Sequence, residues 1–228
     1  MKPKSKITIE SYNKTAEEYY KIVTSFEILP ELEKFINLIP KKGNILDLGC
    51  GPGHHSRVFV DNGFTVEGID LSTEMIAIAK KEVTGANFQV MDILDLNLEK
   101  ESFDGIWASA SLLHIPKKNL KSVLKQLKSA LAIEGVLYIS LKKGEGSEVL
   151  KDKRYGGVDK YYVYYQLEEI EKILASIDFK IIKKEQKEKR GFYDTNSWIH
   201  LFVQKKYNFI LSNSAKLSFF FLKISVFK

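Results

Sequence analysis

The stretch Ile45-Leu46-Asp47-Leu48-Gly49-Cys50-Gly51-Pro52-Gly53 is the part of this chain best suited to hold a ligand. An apolar run leads into three glycines at alternate positions. Glycine permits a tight turn and lets a ligand lie against bare backbone. A helix opening just beyond offers free N–H groups to a carboxylate or another anion. The spacing Gly49-x-Gly51-x-Gly53 lacks the sixth-position glycine of the dinucleotide fingerprint, and no Lys-Ser/Thr pair follows as in a phosphate-binding P-loop. Asp70 stands about twenty residues past the first glycine, where a carboxylate accepts hydrogen bonds from both hydroxyls of a ribose. Asp92 closes a third apolar run and is placed to accept from an adenine amino group. His114, in Ser111-Leu112-Leu113-His114-Ile115-Pro116, has the side-chain type of a base near neutral pH.

These residues need a scaffold that brings strand ends together, and the apolar pattern supplies one. Asn44–Leu48, Thr65–Ile69, Asn87–Met91, Phe103–Ser109 and Gly135–Leu141 read as buried strands. Amphipathic helices lie between them. One runs through Leu120, Val123, Leu124, Leu127 and Leu131, with Lys118, Lys121, Lys125 and Lys128 opposite; another runs through Leu167, Ile170, Leu174 and Ile177. Such alternation implies a parallel sheet with helices on both faces, and ligands bind such sheets at the carboxyl ends of the strands. Phe179–Glu188 and Trp198–Gln204 break the pattern: two strands without room for a crossover helix must pair antiparallel. The fold expected is an α/β, Rossmann-like doubly wound sheet of about seven strands, with one antiparallel strand near its C-terminal end. The expected domain is 1–206, with 1–40 as a helical cap; 207–228 is a separate tail rich in Phe, Ser and Lys.

Loop, Asp70, Asp92 and the antiparallel ending, in this order, make the chain similar to class I S-adenosylmethionine-dependent methyltransferases. The resemblance is to the broad D-x-G-x-G-x-G group that acts on small molecules, and it covers roughly residues 8–206 on this reading of the element order. It implies S-adenosyl-L-methionine as methyl donor. Asp47, Gly49, Cys50, Gly51 and Gly53 would hold its methionine part and Asp70 its ribose, with Leu71 and Met75 beside the adenine. Asp92 would take the adenine amino group, flanked by Met91 and Ile93. Ala108 and Ser109 would floor the site near the sulfonium. His114 is then the candidate catalytic base, the alternative being a bond to loop backbone or packing against the donor. Tyr12, Tyr19, Tyr155, Tyr162 and Tyr164 are candidates for the acceptor pocket, although strand alternation sends about half of the 155–165 group elsewhere.

Absences narrow the acceptor. No Asn/Asp-Pro-Pro-Tyr/Phe motif follows the fourth strand, where Ser109-Ala110-Ser111-Leu112 stands, which disfavours adenine amino-methylation. Covalent pyrimidine chemistry needs a nucleophilic Cys, and the one cysteine, Cys50, is inside the glycine loop. No His, Asp or Cys cluster suggests a metal. The net charge of +6 and the Lys180–Arg190 stretch raise RNA as an alternative acceptor, but that stretch reads better as a solvated sheet edge. A non-catalytic donor-binding module is the third reading. One cysteine and no apolar segment after the basic start point to the cytoplasm, and no apolar run is long enough for stable membrane insertion. The tail suits packing on the domain or a homodimer contact and is not expected to be needed for donor binding.

Overall fold

The computed structural model describes residues 4–153, 156–188 and 196–206. Seven strands form one sheet: β1 (Asn44–Leu48), β2 (Thr65–Asp70), β3 (Ala86–Val90), β4 (Phe103–Ala108), β5 (Leu131–Lys142), β8 (Phe179–Lys187) and β9 (Trp198–Lys205). Their order is β3-β2-β1-β4-β5-β9-β8. β1 to β5 pair parallel, and β9 runs antiparallel to both β5 and β8. This is the mixed sheet expected from the sequence, with strand limits within two residues at most ends. The exception is β5. Leu131, read as the last residue of a helix, instead begins the strand beside Phe103, and Glu134 turns the chain in a left-handed conformation (φ 63°) before regular pairing resumes at Val136.

Helices cover both faces. On one, α5 (Lys117–Ala130) buries Leu120, Val123, Leu124 and Leu127, and α6 (Leu167–Ala175) buries Ile170 and Leu174. On the other, α2 (Pro30–Ile36) and α3 (His54–Asp61) pack Leu32, Phe35 and Phe59 on Trp107, Tyr138 and Phe202. Trp107 of β4 and Tyr138 of β5 stack with centroids 3.9 Å apart. At the sheet's edge, three of the four lysines of β8 are paired with acids: Lys183 with Glu185, Lys184 with Glu171 and Lys187 with Glu31. Lys189 and Arg190, which the basic stretch also included, lie outside the described residues, as does the tail from 207 to 228.

Two features were not resolved by pattern. The helical cap expected over 1–40 holds two helices, α1 (Lys4–Val23) and α2, separated by the chain from Thr24 to Leu29. α1 bends at Thr15, whose backbone leaves the helical region (φ −115°, ψ 16°) while its hydroxyl donates to the Ser11 carbonyl at 2.9 Å. That local bond competes with the helical ladder and accounts for the bend. The second feature is an antiparallel hairpin, β6 (Ser147–Asp152) and β7 (Val158–Val163), inserted between β5 and α6. α1 is fastened to it by Ser11 Oγ on the Asp159 carbonyl and by Tyr161 N–H on Thr8 Oγ1. It is fastened to α4 (Thr73–Glu82) by the Tyr20 hydroxyl on Glu82, and to the residue before that helix by Ser72 Oγ on Asn13.

α2 seats against β4 at Gly105, where an added Cβ would come within 2.8 Å of both Phe35 and Ile39 side-chain atoms. Gly105→Ala should therefore overpack this contact and cost about 1–3 kcal/mol. An unchanged urea midpoint in that variant would show that the helix is not seated this closely.

Candidate active site

The glycine loop leaves β1 and enters α3 with Gly49, Gly51 and Gly53 all at positive φ (72°, 54° and 82°). Its position is set by β2. The N–H groups of Gly49 and Cys50 both donate to the Ile69 carbonyl, at 2.8 and 2.9 Å, and Gly51 N–H donates to Asp70 Oδ2 at 3.0 Å. Asp70 Oδ1 accepts from Ser72 N–H at 2.8 Å, so one carboxylate joins the loop to the start of α4. Gly53 is the residue before α3 and caps it with no side chain; a Cβ there would press on Val83, Ala79 and Phe88. Asp47 supplies the cap from β1 instead, accepting the Ser56 hydroxyl at 2.6 Å and the Ser56 backbone N–H.

A pocket opens in front of this loop. Of the residues assigned to the donor, Gly49, Cys50, Gly51, Asp70, Leu71, Met75, Asp92, Ile93 and Ser109 line it. Asp47, Gly53, Met91 and Ala108 do not. Asp92 holds its own loop, accepting from Leu94 N–H at 2.8 Å. Among the described residues the pocket lining carries two carboxylates and no lysine or arginine. Burial pushes the Asp70 carboxyl up, and burial together with the Asp70 charge pushes Asp47 up to about 7. Cys50 is likewise held as the thiol by burial. Such a pocket is hostile to phosphates and favourable to a cation. A Cβ on Gly51 would meet nothing nearer than the Tyr19 ring at 3.9 Å, so the glycine leaves space above the backbone.

The pocket opens into a larger cavity of about 700 Å³ between α1, α2, α3 and the ends of β4, β5 and β9. Tyr12, Tyr19, His54, His55, Ser109, Ala110 and His114 line both spaces and form the neck between them. Tyr162 lines the larger cavity. Tyr164 does not, and packs in the core beside Glu148; Tyr155 lies outside the described residues. All four histidines of the chain line the cavity, and sequence reasoning singled out His114 alone. His54 and His55 follow the glycine loop directly, which was the available signal. His200 and Lys142 carried none, because their placement depends on the pairing of β5 with β9.

Burial holds these imidazoles neutral. It depresses His114 to about 3 and His54 to about 4, and His55, which accepts the Trp107 indole N–H at 3.1 Å, also falls well below its ordinary range. The neutral His114 donates its Nδ1–H to the Tyr161 carbonyl at 2.7 Å and accepts the Tyr12 hydroxyl on Nε2 at 3.1 Å.

Residues 45–135 match the family model described as "Methyltransferase domain". Over these residues the chain is similar to the class I S-adenosylmethionine-dependent methyltransferases. S-adenosyl-L-methionine is the methyl donor that this family implies. The chain is 33% identical over 93 residues to malonyl-[acyl-carrier protein] O-methyltransferase of Enterobacter lignolyticus, covering 41% of this chain and 36% of that protein. It is 32% identical over 105 residues to trans-aconitate 2-methyltransferase of Variovorax paradoxus, covering 45% and 40%. The chain spans about half or less of the length of the curated relatives it matches. The fold is shared with an S-adenosylmethionine-dependent methyltransferase of Methanosarcina mazei, at a TM-score of 0.69 and 22% identity over 80% of this chain and all of that one. The matched segment thus places its glycine loop where the pocket is acidic and the backbone bare. No helix among the described residues is long and apolar enough to cross a membrane.

The raised pKa of Asp47 gives a pH test of the loop. Its carboxyl stays protonated in the fold up to about 7 but ionises near 3.8 when unfolded. Its contribution to stability is therefore present below pH 3.8 and is lost as pH rises through 7. Asp47→Asn keeps an acceptor for Ser56 without the charge. In donor-free protein, the urea midpoint of the wild type should fall relative to this variant between pH 5 and pH 8. Midpoints that run parallel would contradict the buried, uncharged Asp47.

Proposed function

We propose that this protein transfers the methyl group of S-adenosylmethionine to a small-molecule acceptor by direct displacement. The observation that carries this reading is the continuity of the acidic pocket with the larger cavity through a neck of aromatic and histidine side chains. The donor, when bound, supplies a methyl group already activated on a sulfonium, and the thioether is the leaving group. What the protein contributes is alignment and a dry path. Asp70 and Asp92 receive ribose and adenine, and the bare backbone at Gly49 and Gly51 lets the methionine part lie close. The absence of basic side chains from the lining suits a cationic donor.

On this reading α1 acts as the lid. Its tyrosines Tyr12 and Tyr19 reach the neck, their edge-to-face rings 5.5 Å apart, and its ties to α4 and the hairpin hold it over the cleft. The catalytic part that the sequence suggested for His114 becomes a positioning one. The neutral ring spends one nitrogen on the Tyr161 carbonyl and the other on Tyr12, fixing the phenol at the neck. Turnover should accordingly show no inflection near pH 6.5 that His114→Gln abolishes. A limb lost in that variant would restore His114 as a base.

A small-molecule acceptor fits a cavity of this size, within the range typical of small-ligand sites. The names of the curated relatives, malonyl-[acyl-carrier protein] and trans-aconitate methyltransferases among them, are in keeping with that class. Methyl transfer from labelled donor into fractionated cell extract tests the proposal, with label expected in small molecules. Label confined to RNA, or to nothing at all, would refute it. For the donor site, Asp70→Ala should weaken S-adenosylhomocysteine binding by about 1.5–3 kcal/mol, the range for hydrogen bonds to a charged group. Unchanged affinity by calorimetry, in a variant with normal circular dichroism, would remove Asp70 from the donor site.

A further inference from the structure

Trp107 of β4 is fully buried among aromatic rings, with the centroids of Phe35, Phe59 and Tyr138 at 5.2, 5.9 and 3.9 Å. That packing fixes the indole plane and with it the direction of its N–H. The N–H reaches His55 Nδ1 at 3.1 Å. An indole nitrogen only donates, so the Nδ1 of His55 accepts and carries no proton. The ring is neutral, because burial and the neighbouring His54 hold it well below its ordinary range. A neutral imidazole with a bare Nδ1 keeps its one proton on Nε2. Trp107 therefore sets the tautomer of His55 while lining neither space itself.

The Nε2 of His55 points away from Trp107. His55 lines both the glycine-loop pocket and the large cavity, and no group among the described residues accepts from its Nε2–H. His114 differs, since both its nitrogens are used, one on Tyr161 and one on Tyr12. His54, whose ring centroid is 4.0 Å from that of His55, has its Nδ1 buried without a hydrogen-bond partner, so nothing fixes its tautomer. His55 is thus the neck histidine whose free nitrogen has a fixed character, and that character is a donor. With Nδ1 taken by the indole, it has no bare nitrogen left to act as a base.

We propose that His55 selects the acceptor by donating its Nε2–H to a carbonyl oxygen of that molecule at the neck, with Trp107 as the residue that positions the proton. The word acceptor rests on the methyl-transfer reading; the N–H and its carbonyl partner are matters of binding alone. A carbonyl oxygen offers lone pairs and no proton, whereas a hydroxyl would bury a hydrogen that needs an acceptor of its own. Tyr138 and Trp198 on the cavity wall suit a flat, partly apolar body behind that carbonyl.

Acetophenone and α-methylstyrene test this, a pair alike in shape in which a carbonyl replaces a methylidene group. Each is titrated into full-length protein labelled in its histidine nitrogens and saturated with S-adenosylhomocysteine. Long-range proton–nitrogen spectra should show His55 protonated on Nε2 and bare on Nδ1 throughout the titration. Acetophenone should shift the Nε2–H resonance and bind about three- to tenfold more tightly than α-methylstyrene, the range for one neutral hydrogen bond. His55→Leu should abolish that preference, and His55→Gln, which keeps an N–H donor at similar reach, should retain it. Both variants should bind S-adenosylhomocysteine within about twofold of the wild type. Trp107→Phe, in protein with normal circular dichroism, should let the proton spread onto Nδ1 and weaken acetophenone alone. A proton on Nδ1 in the wild type would overturn the proposal, as would equal affinities for the two probes, absence of binding by both included. A preference that survives His55→Leu would overturn it too, and so would loss of S-adenosylhomocysteine affinity in that variant, which would give the N–H to the methyl donor instead. Methyl transfer from labelled donor is scored separately. A carbonyl preference without any transfer would sink the enzymatic reading and leave the subsite standing.

Discussion

The site depends on one constraint, the pinning of a left-handed glycine loop to the end of β2. Three successive N–H groups, those of Gly49, Cys50 and Gly51, are taken up by the Ile69 carbonyl and the Asp70 carboxylate. A turn with three positive φ angles has no regular secondary structure to satisfy its donors, so this accounting is what lets it exist. The same carboxylate reaches Ser72 N–H, so Asp70 fixes the spacing between the β1 loop and the β2 loop before any ligand enters. Asp47 completes the arrangement from behind by capping α3 in place of the missing Gly53 side chain. The aspartate and glycines of the motif thus have separate places: Asp47 and Gly53 build the turn, and Gly49 and Gly51 line the pocket.

The pocket before the glycine loop and the neck beside it differ in their electrostatics. Among the described residues the pocket lining carries Asp70 and Asp92 and no lysine or arginine, and burial raises the Asp70 carboxyl. At the neck stand His54, His55 and His114, all kept neutral by burial, so these three side chains add no charge to it.

Much of this was legible in the sequence because it is local. The apolar runs gave the strands, and the lack of room for a crossover between Phe179–Glu188 and Trp198–Gln204 gave the antiparallel strand correctly. The glycine spacing with Asp70 and Asp92 picked out residues that line one pocket. What could not be read was what depends on distant pairing. His200 and Trp198 reach the cavity through the register of β9 on β5, which sets His200 opposite Ser140 and Trp198 opposite Lys142. The hairpin β6–β7 was hidden because β6 is mostly exposed and so lacks an apolar face to announce it. Asp47 and Met91 were assigned to the donor on motif likeness, yet neither lines the pocket, because strand direction alone does not tell which side of a loop meets the ligand.

The central claim is that the donor's reactive end and the acceptor meet at the neck beneath α1. A crystal structure with S-adenosylhomocysteine bound tests it most directly. The account predicts the ribose on Asp70, the adenine beside Asp92, and the sulfur facing the neck bounded by Tyr12, Ala110 and His114, with α1 still tied to α4 and the hairpin. A sulfur turned away from that neck, or a ligand that displaces Tyr12 and Tyr19 and closes the passage to the large cavity, would contradict it.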